Sequence, residues 1–219
     1  MSITILKAGL QDLIQDLGRN GYTHMGISPS GAADKIAFRI GNLLLKNDIN
    51  DSSIEITLLG GSYYFNKDAI IILTGSNFTS TLDGKKLSFF EPLSIKAGQT
   101  LTINQTNNGA RCYLGIKGGF QVPLVLNSRS THVLSKIGGL NGRSLEKNDE
   151  IMFSNSNNQN FNKNKNFHID NDRSLLRVTE GLQYDLFDSA NKKLFFNKKF
   201  KVTHNSNRMG LRITGPNIY

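Results

Sequence analysis

Short apolar segments of strand length, each closed by a turn signal, recur along most of this 219-residue chain. Residues 53–58 alternate Ile54, Ile56 and Leu58, the period of a strand with one buried face. Residues 69–74 form a continuous apolar run, and residues 79–87 carry Asp83-Gly84, a strong two-residue hairpin signal. Further strands fit residues 93–95, 100–105, 111–116 and 151–153, punctuated by Ala97-Gly98 and Asn107-Asn108-Gly109. So many short strands need closure to hide their edges, and the expected fold is a mainly β barrel. One helix is predicted over residues 33–46. There Ile36, Ala37, Ile40, Leu43 and Leu44 recur at helical spacing and Asp34 is placed to cap, so the helix should plug or cover one end of the barrel.

The length admits one large β domain or one ordinary domain plus part of a second. Residues 154–166 read SNSNNQNFNKNKN, too polar to build a core, and a second strand-rich segment begins near Leu175. The expected organisation is a first domain over 1–153, an Asn/Lys-rich linker over 154–173 and a second segment over 174–219. That segment echoes the first. Gly9-Leu10-Gln11 recurs as Gly181-Leu182-Gln183, and Thr23-His24-Met25-Gly26-Ile27 is matched by Asn207-Arg208-Met209-Gly210-Leu211. The shared order reads as duplication.

A net charge of +9 would suit an acidic partner, but the basic residues are spread along the chain and no nucleic-acid-binding signature accompanies them. The one dense group, Lys192, Lys193, Lys198, Lys199 and Lys201 around Phe195, Phe196 and Phe200, reads as a hairpin with lysines outward and aromatics inward. The single Cys112 excludes an intrachain disulfide, no apolar run approaches bilayer length, and the N-terminus shows no signal-peptide pattern; the expected location is the cytoplasm.

Two clusters carry candidate chemistry. In the first, Gln15, Asp16, Arg19, Ser30 and Asp34 lie among glycines just before the helix. Glycines let backbone N–H groups approach an anion, although Ser30 and Asp34 serve equally well as capping residues. The second joins Ser128, Arg129, Ser130 and Thr131 to Gly138-Gly139 and Gly142-Arg143. Arginines on Gly-rich loops suit bidentate binding of a carboxylate or phosphate; a surface loop with solvated arginines is the plainer reading. The chain has no GxxxxGK[ST] loop, no HExxH and no nucleophile elbow, and its four histidines show no metal-ligand spacing, so no metal site is expected. No catalytic base is identified.

These clusters, with QDLGRNGYTHMGISPSGAAD, Leu73-Thr74-Gly75, Lys117-Gly118-Gly119 and Gly138-Gly139-Leu140-Asn141-Gly142-Arg143, resemble in order the signature blocks of the biotin-dependent carboxyltransferase family, also called allophanate hydrolase subunit 2 or KipA-like. The resemblance implies two cyclophilin-like barrels. It implies work in the 5-oxoprolinase branch with a KipI-like B subunit and a LamB/YcsF-like A subunit, opening the lactam of 5-oxoproline with ATP. The alternatives it carries are a component of urea carboxylase or allophanate hydrolase, with any biotin arriving on another chain, and a KipA-type regulatory partner without catalysis. By motif position, Arg129 and Arg143 are expected to bind anions, with Arg208 in the echoed block a further candidate. Asn207 stands where the family usually has Asp, and a Gln-Thr-x-Gly-Gly-Tyr block of the family is absent, so the second copy is expected to be incomplete; with neither a nucleotide motif nor an identifiable nucleophile, the chain is expected to be inactive alone.

Overall fold

The computed structural model describes residues 1–154, 175, 177–206 and 210–218. The chain divides into two compact units, Met1–Phe167 and His168–Tyr219. Most of the linker expected over 154–173 lies outside the described residues.

In the first unit, β1 (Ser2–Lys7), β2 (Asp12–Gln15), β3 (Ser53–Thr57), β4 (Ser62–Phe65), β5 (Ala69–Leu82), β6 (Lys85–Lys86), β7 (Leu93–Ile95), β8 (Thr100–Ile116), β9 (Phe120–Gln121) and β10 (Glu150–Phe153) make one antiparallel sheet. The order runs β2-β3-β8-β4-β1-β10-β9, with β5 pairing β6, β7 and β8. The sheet curls into a nearly closed barrel because β8 pairs with β4 through Thr100–Thr102 and with β3 through Arg111–Leu114, while β5 runs along its other side. Phe120 closes back toward β3, its N–H donating to Ser52 O and its carbonyl accepting from Ser52 Oγ. Ile3, Ile5, Ile14, Ile54, Ile56, Leu73, Leu101 and Leu114 fill the interior. Each such side chain contributes roughly 1.5–3 kcal/mol by leaving water.

Two expected breaks are absent. Residues 69–74 and 79–82 belong to one 14-residue strand, and 100–116 forms one 17-residue strand straight through Asn107-Asn108-Gly109. Bulges absorb the turn residues: Gly75 has φ 95°, and the β5–β8 register shifts three times between Gly75 and Ser80. Asp83-Gly84 does form the hairpin turn, with both φ values positive and Leu82 paired to Lys85.

Helix α1 (Lys35–Leu45) starts where expected, Asp34 accepting from the Ala37 N–H at 2.9 Å. It does not plug an end of the barrel. On β5, Ile71 and Leu73 point into the barrel while Ile70 and Ile72 pack on the other side with Leu45; on β8, Tyr113 turns outward to Ala37 and Phe38. The helix therefore covers the outer face of β5 and β8. Gly41 permits the close approach, since an added Cβ would lie 3.2 Å from Thr74 Oγ1, and that hydroxyl donates to Ala37 O.

In the second unit, Lys192, Lys193, Phe195 and Phe196 of the lysine and phenylalanine group lie on a helix, α2 (Ser189–Asn197), where a hairpin was expected, whereas Lys201 begins a strand. Asp188 caps it by accepting from the Asn191 N–H at 2.7 Å, and the run SANKKLFFN has no β-branched residue to disfavour a helix. Phe195 stacks edge-on against Phe196 at 5.4 Å and tilted against Phe200, yet Phe196 remains exposed. Strands β11 (Lys201–Val202) and β12 (Ile213–Thr214) pair antiparallel. No helix among the described residues is long and apolar enough to cross a membrane.

Candidate functional site

The polar cluster forms where β2 ends. Residues 17–31 leave the sheet and return, Arg19 N–H bonding Pro29 O and Ala32 N–H bonding Asp16 O. Alongside runs the segment from Ser128 to Thr131, whose Thr131 N–H donates to Ile14 O. It is entered by a tight turn in which Leu126 and Asn127 both adopt positive φ and Val125 bridges Ser128. Residues more than a hundred positions apart thus share one strand edge.

Asp16 is the node. Its Oδ1 accepts from Gly18 N–H (2.7 Å), Ser128 Oγ (2.7 Å) and Ser130 Oγ (2.5 Å), and its Oδ2 accepts from Arg129 N–H (2.6 Å). The Ser130 hydroxyl also accepts from the Asp16 N–H. A buried carboxylate satisfied by this many donors is a structural anchor, because each donor is fixed by main chain or by its own partner. Gln15 and Thr131 reinforce it: Gln15 Nε2 donates to Thr131 O, and Thr131 Oγ1 donates to Ile14 O.

Arg19 is 1% exposed. Its guanidinium donates to Ser130 O, to Ser30 Oγ at 3.2 Å and to Val125 O at 3.4 Å. Burial draws its pKa down while Asp16 opposes the shift. The group ties both clusters together and is spent on the chain itself.

Arg129 differs. Its main chain is clamped, the N–H by Asp16 and the carbonyl by Gly139 N–H, but its Nε is buried without a hydrogen-bonding partner among the described residues. The guanidinium lies in the field of Asp51, whose carboxyl is raised by burial and held back in part by Arg129 and Lys117. Lys117 Nζ donates to Lys46 O, and burial lowers its pKa. Both cations thus act on one half-buried carboxylate through their charge, without forming an ion pair with it among the described residues. Asp51 did not stand out in the sequence, and Lys117 entered only within the Lys117-Gly118-Gly119 block, because nothing local links residues 51, 117 and 129.

The remaining expected residues go elsewhere. Arg143 is engaged by Asp149 through paired bonds of 2.7 and 2.8 Å, raising its own pKa and lowering that of Asp149. Asp34 is the α1 cap, and its N–H donates to Tyr113 Oη, which donates in turn to the buried Glu55. Arg208 lies outside the described residues.

The family model described as "Carboxyltransferase domain, subdomain A and B" matches residues 25–218. Urea amidolyase of Saccharomyces cerevisiae is 37% identical over 98% of this chain, which spans 12% of that protein. The C subunit of the Escherichia coli 5-oxoprolinase is 36% identical over 97% of this chain, which spans 68% of it. The crystal structure of the Kluyveromyces lactis urea amidolyase superposes with a TM-score of 0.84 at 31% identity, covering 98% of this chain and 14% of that one.

Proposed function

Since the chain belongs to the carboxyltransferase domain family of subdomains A and B, we propose that it serves as the carboxyltransferase-type subunit of an ATP-dependent 5-oxoprolinase. The reaction is 5-oxoproline, ATP and two waters to glutamate, ADP and phosphate, in a cytoplasmic complex with KipI-like and LamB/YcsF-like partners. The observation that carries this reading is the similarity to the C subunit of 5-oxoprolinase across 97% of this chain and 68% of that protein. In this reading Arg129 receives the substrate carboxylate through a charge-assisted, bidentate contact, with Lys117 as the second cation. Asp16, Ser128 and Ser130 act as positioning residues that hold the backbone of Arg129.

The glycines of this region do not fit a nucleotide. A Cβ added at Gly138 would lie 2.1 Å from Ser130 O, one at Gly139 1.9 Å from Thr131 Oγ1, and one at Gly142 2.1 Å from Lys136 C, so each is filled by the chain's own atoms. In this reading ATP is held by a partner subunit, where its cleavage drives lactam opening.

Similarity to yeast urea amidolyase supports a second reading, a urea carboxylase component receiving a carboxyl group from biotin on another chain. Purified complex assayed with 5-oxoproline plus ATP, and separately with urea plus biotin carrier, distinguishes the two. Glutamate formation that requires this chain is expected; carboxylation of urea without glutamate formation would replace the first reading by the second.

A further inference from the structure

Helix α1 has two apolar faces and only one is covered. Ala37, Phe38, Gly41 and Leu45 are buried on the barrel. On the opposite side Ile36 is 66% exposed, Leu43 is 62% exposed, and Ile40 between them is half-buried. Spacing of i, i+4 and i+7 aligns these three along the solvent side of the helix. A helix apolar on both sides is normally buried on both sides.

The surroundings of the stripe say what would cover it. Three aliphatic side chains fall short of the roughly 800 Å² per partner that a stable interface buries, so a contact here must extend over the flanking residues. On the helix these are Lys35 and Arg39, both exposed and neither in an ion pair among the described residues; the helix itself carries no acidic residue. A second copy of this chain would set like charges against each other. Two basic residues fall short of the roughly four to eight that hold a segment on an anionic lipid surface.

We infer that the outer face of α1 is a docking surface for a partner protein that presents an apolar helical stripe flanked by acidic residues. Aliphatic anchors from the partner interdigitate with Ile36, Ile40 and Leu43, and its carboxylates meet Lys35 and Arg39. The assignment is independent of the reaction the assembly performs.

The test uses the full chain and two synthetic helical probes sharing one leucine stripe, flanked by Glu in one and by Lys in the other. Fluorescence anisotropy should show the Glu probe binding at least ten-fold more tightly than the Lys probe. Leu43→Asn should weaken that binding ten-fold or more, and Arg39→Glu should reverse the charge preference. Circular dichroism should place the melting temperature of both variants within a few degrees of the parent, because the replaced side chains face solvent. Equal binding of both probes, binding of neither, or binding untouched by Leu43→Asn would overturn the proposal. So would dimers in sedimentation that vanish in Leu43→Asn, or flotation with phosphatidylserine vesicles.

Discussion

The Oδ2 of Asp16 accepts the main-chain N–H of Arg129 at 2.6 Å, across 113 positions of sequence. This bond separates two roles within one short segment. The carboxylate fixes the backbone of residues 128–130, while the Arg129 side chain keeps an Nε without a partner among the described residues. In the proposed function, support by Asp16 and recognition by Arg129 can therefore be removed independently.

Replacing Asp16 with Asn should destabilise the fold by about 3 kcal/mol. The substitution leaves a single acceptor oxygen where four donors converge, and an amide in place of one charge-assisted pair. Urea unfolding checks it, and a change within about 0.5 kcal/mol would mean the cluster relaxes around a neutral amide.

Arg129→Ala should behave in the opposite way. Stability should stay within about 1 kcal/mol, as for a half-buried side chain lacking internal bonds, while affinity of the assembled complex for 5-oxoproline falls ten-fold or more by calorimetry. Arg129→Lys should restore little, since an ammonium lacks the planar fork. A large loss of stability with unchanged affinity would make the residue structural.

Much of the local structure was legible in the sequence because its causes are local. Asp34 caps α1 through its own third neighbour, and Asp83-Gly84 turns a hairpin whatever surrounds it. The association of Gln15, Asp16 and Arg19 with Ser128–Thr131 could be named only as two clusters; the strand register joins them. Asn107-Asn108-Gly109 misled, because turn chemistry inside a strand that is paired on both sides becomes a bulge. A local ion pair occupies Arg143, which the sequence had grouped with Arg129, since Asp149, six residues away, takes its fork. α2 was missed because aromatic and basic residues mark helices and strands alike.

Gly138→Ala should cost more than Gly84→Ala, although both glycines have positive φ, 68° and 79°. A methyl group at Gly84 meets nothing within 4 Å, so only the left-handed backbone is penalised, by about 1–2 kcal/mol. At Gly138 it would also lie 2.1 Å from Ser130 O and 2.5 Å from Arg19 Nη2, forcing the buried guanidinium out of place. Thermal unfolding of the two variants side by side isolates the steric part; equal shifts would show that Arg19 repacks freely.

Asp12 supplies a pH dependence with a defined sign. The residue is fully buried; its Oδ2 accepts from Gly9 N–H at 2.8 Å and Tyr63 Oη at 2.9 Å, and its Oδ1 has no partner among the described residues. Burial pushes its pKa from 3.8 up to about 6, against the downward pull of those two donors. Between these values the folded protein holds a proton that the unfolded chain has released, so folding is favoured as pH falls. The stabilisation is complete below about pH 3.8 and lost as pH rises through about 6. A shift of this size amounts to on the order of 3 kcal/mol, of which roughly 2 would be recovered by about pH 4.5. Asp68 and Asp149 oppose it only at lower pH, their pKa values being depressed below the ordinary carboxylate value. Asp12→Asn removes the titration and keeps the shape, so the difference in unfolding free energy between parent and variant isolates this one group. That difference, followed by urea unfolding between pH 4.5 and 7.5, should move toward the parent by roughly 2 kcal/mol at the acid end. Parallel curves for the two proteins would mean that Asp12 stays ionised in the fold, with a further donor reaching Oδ1.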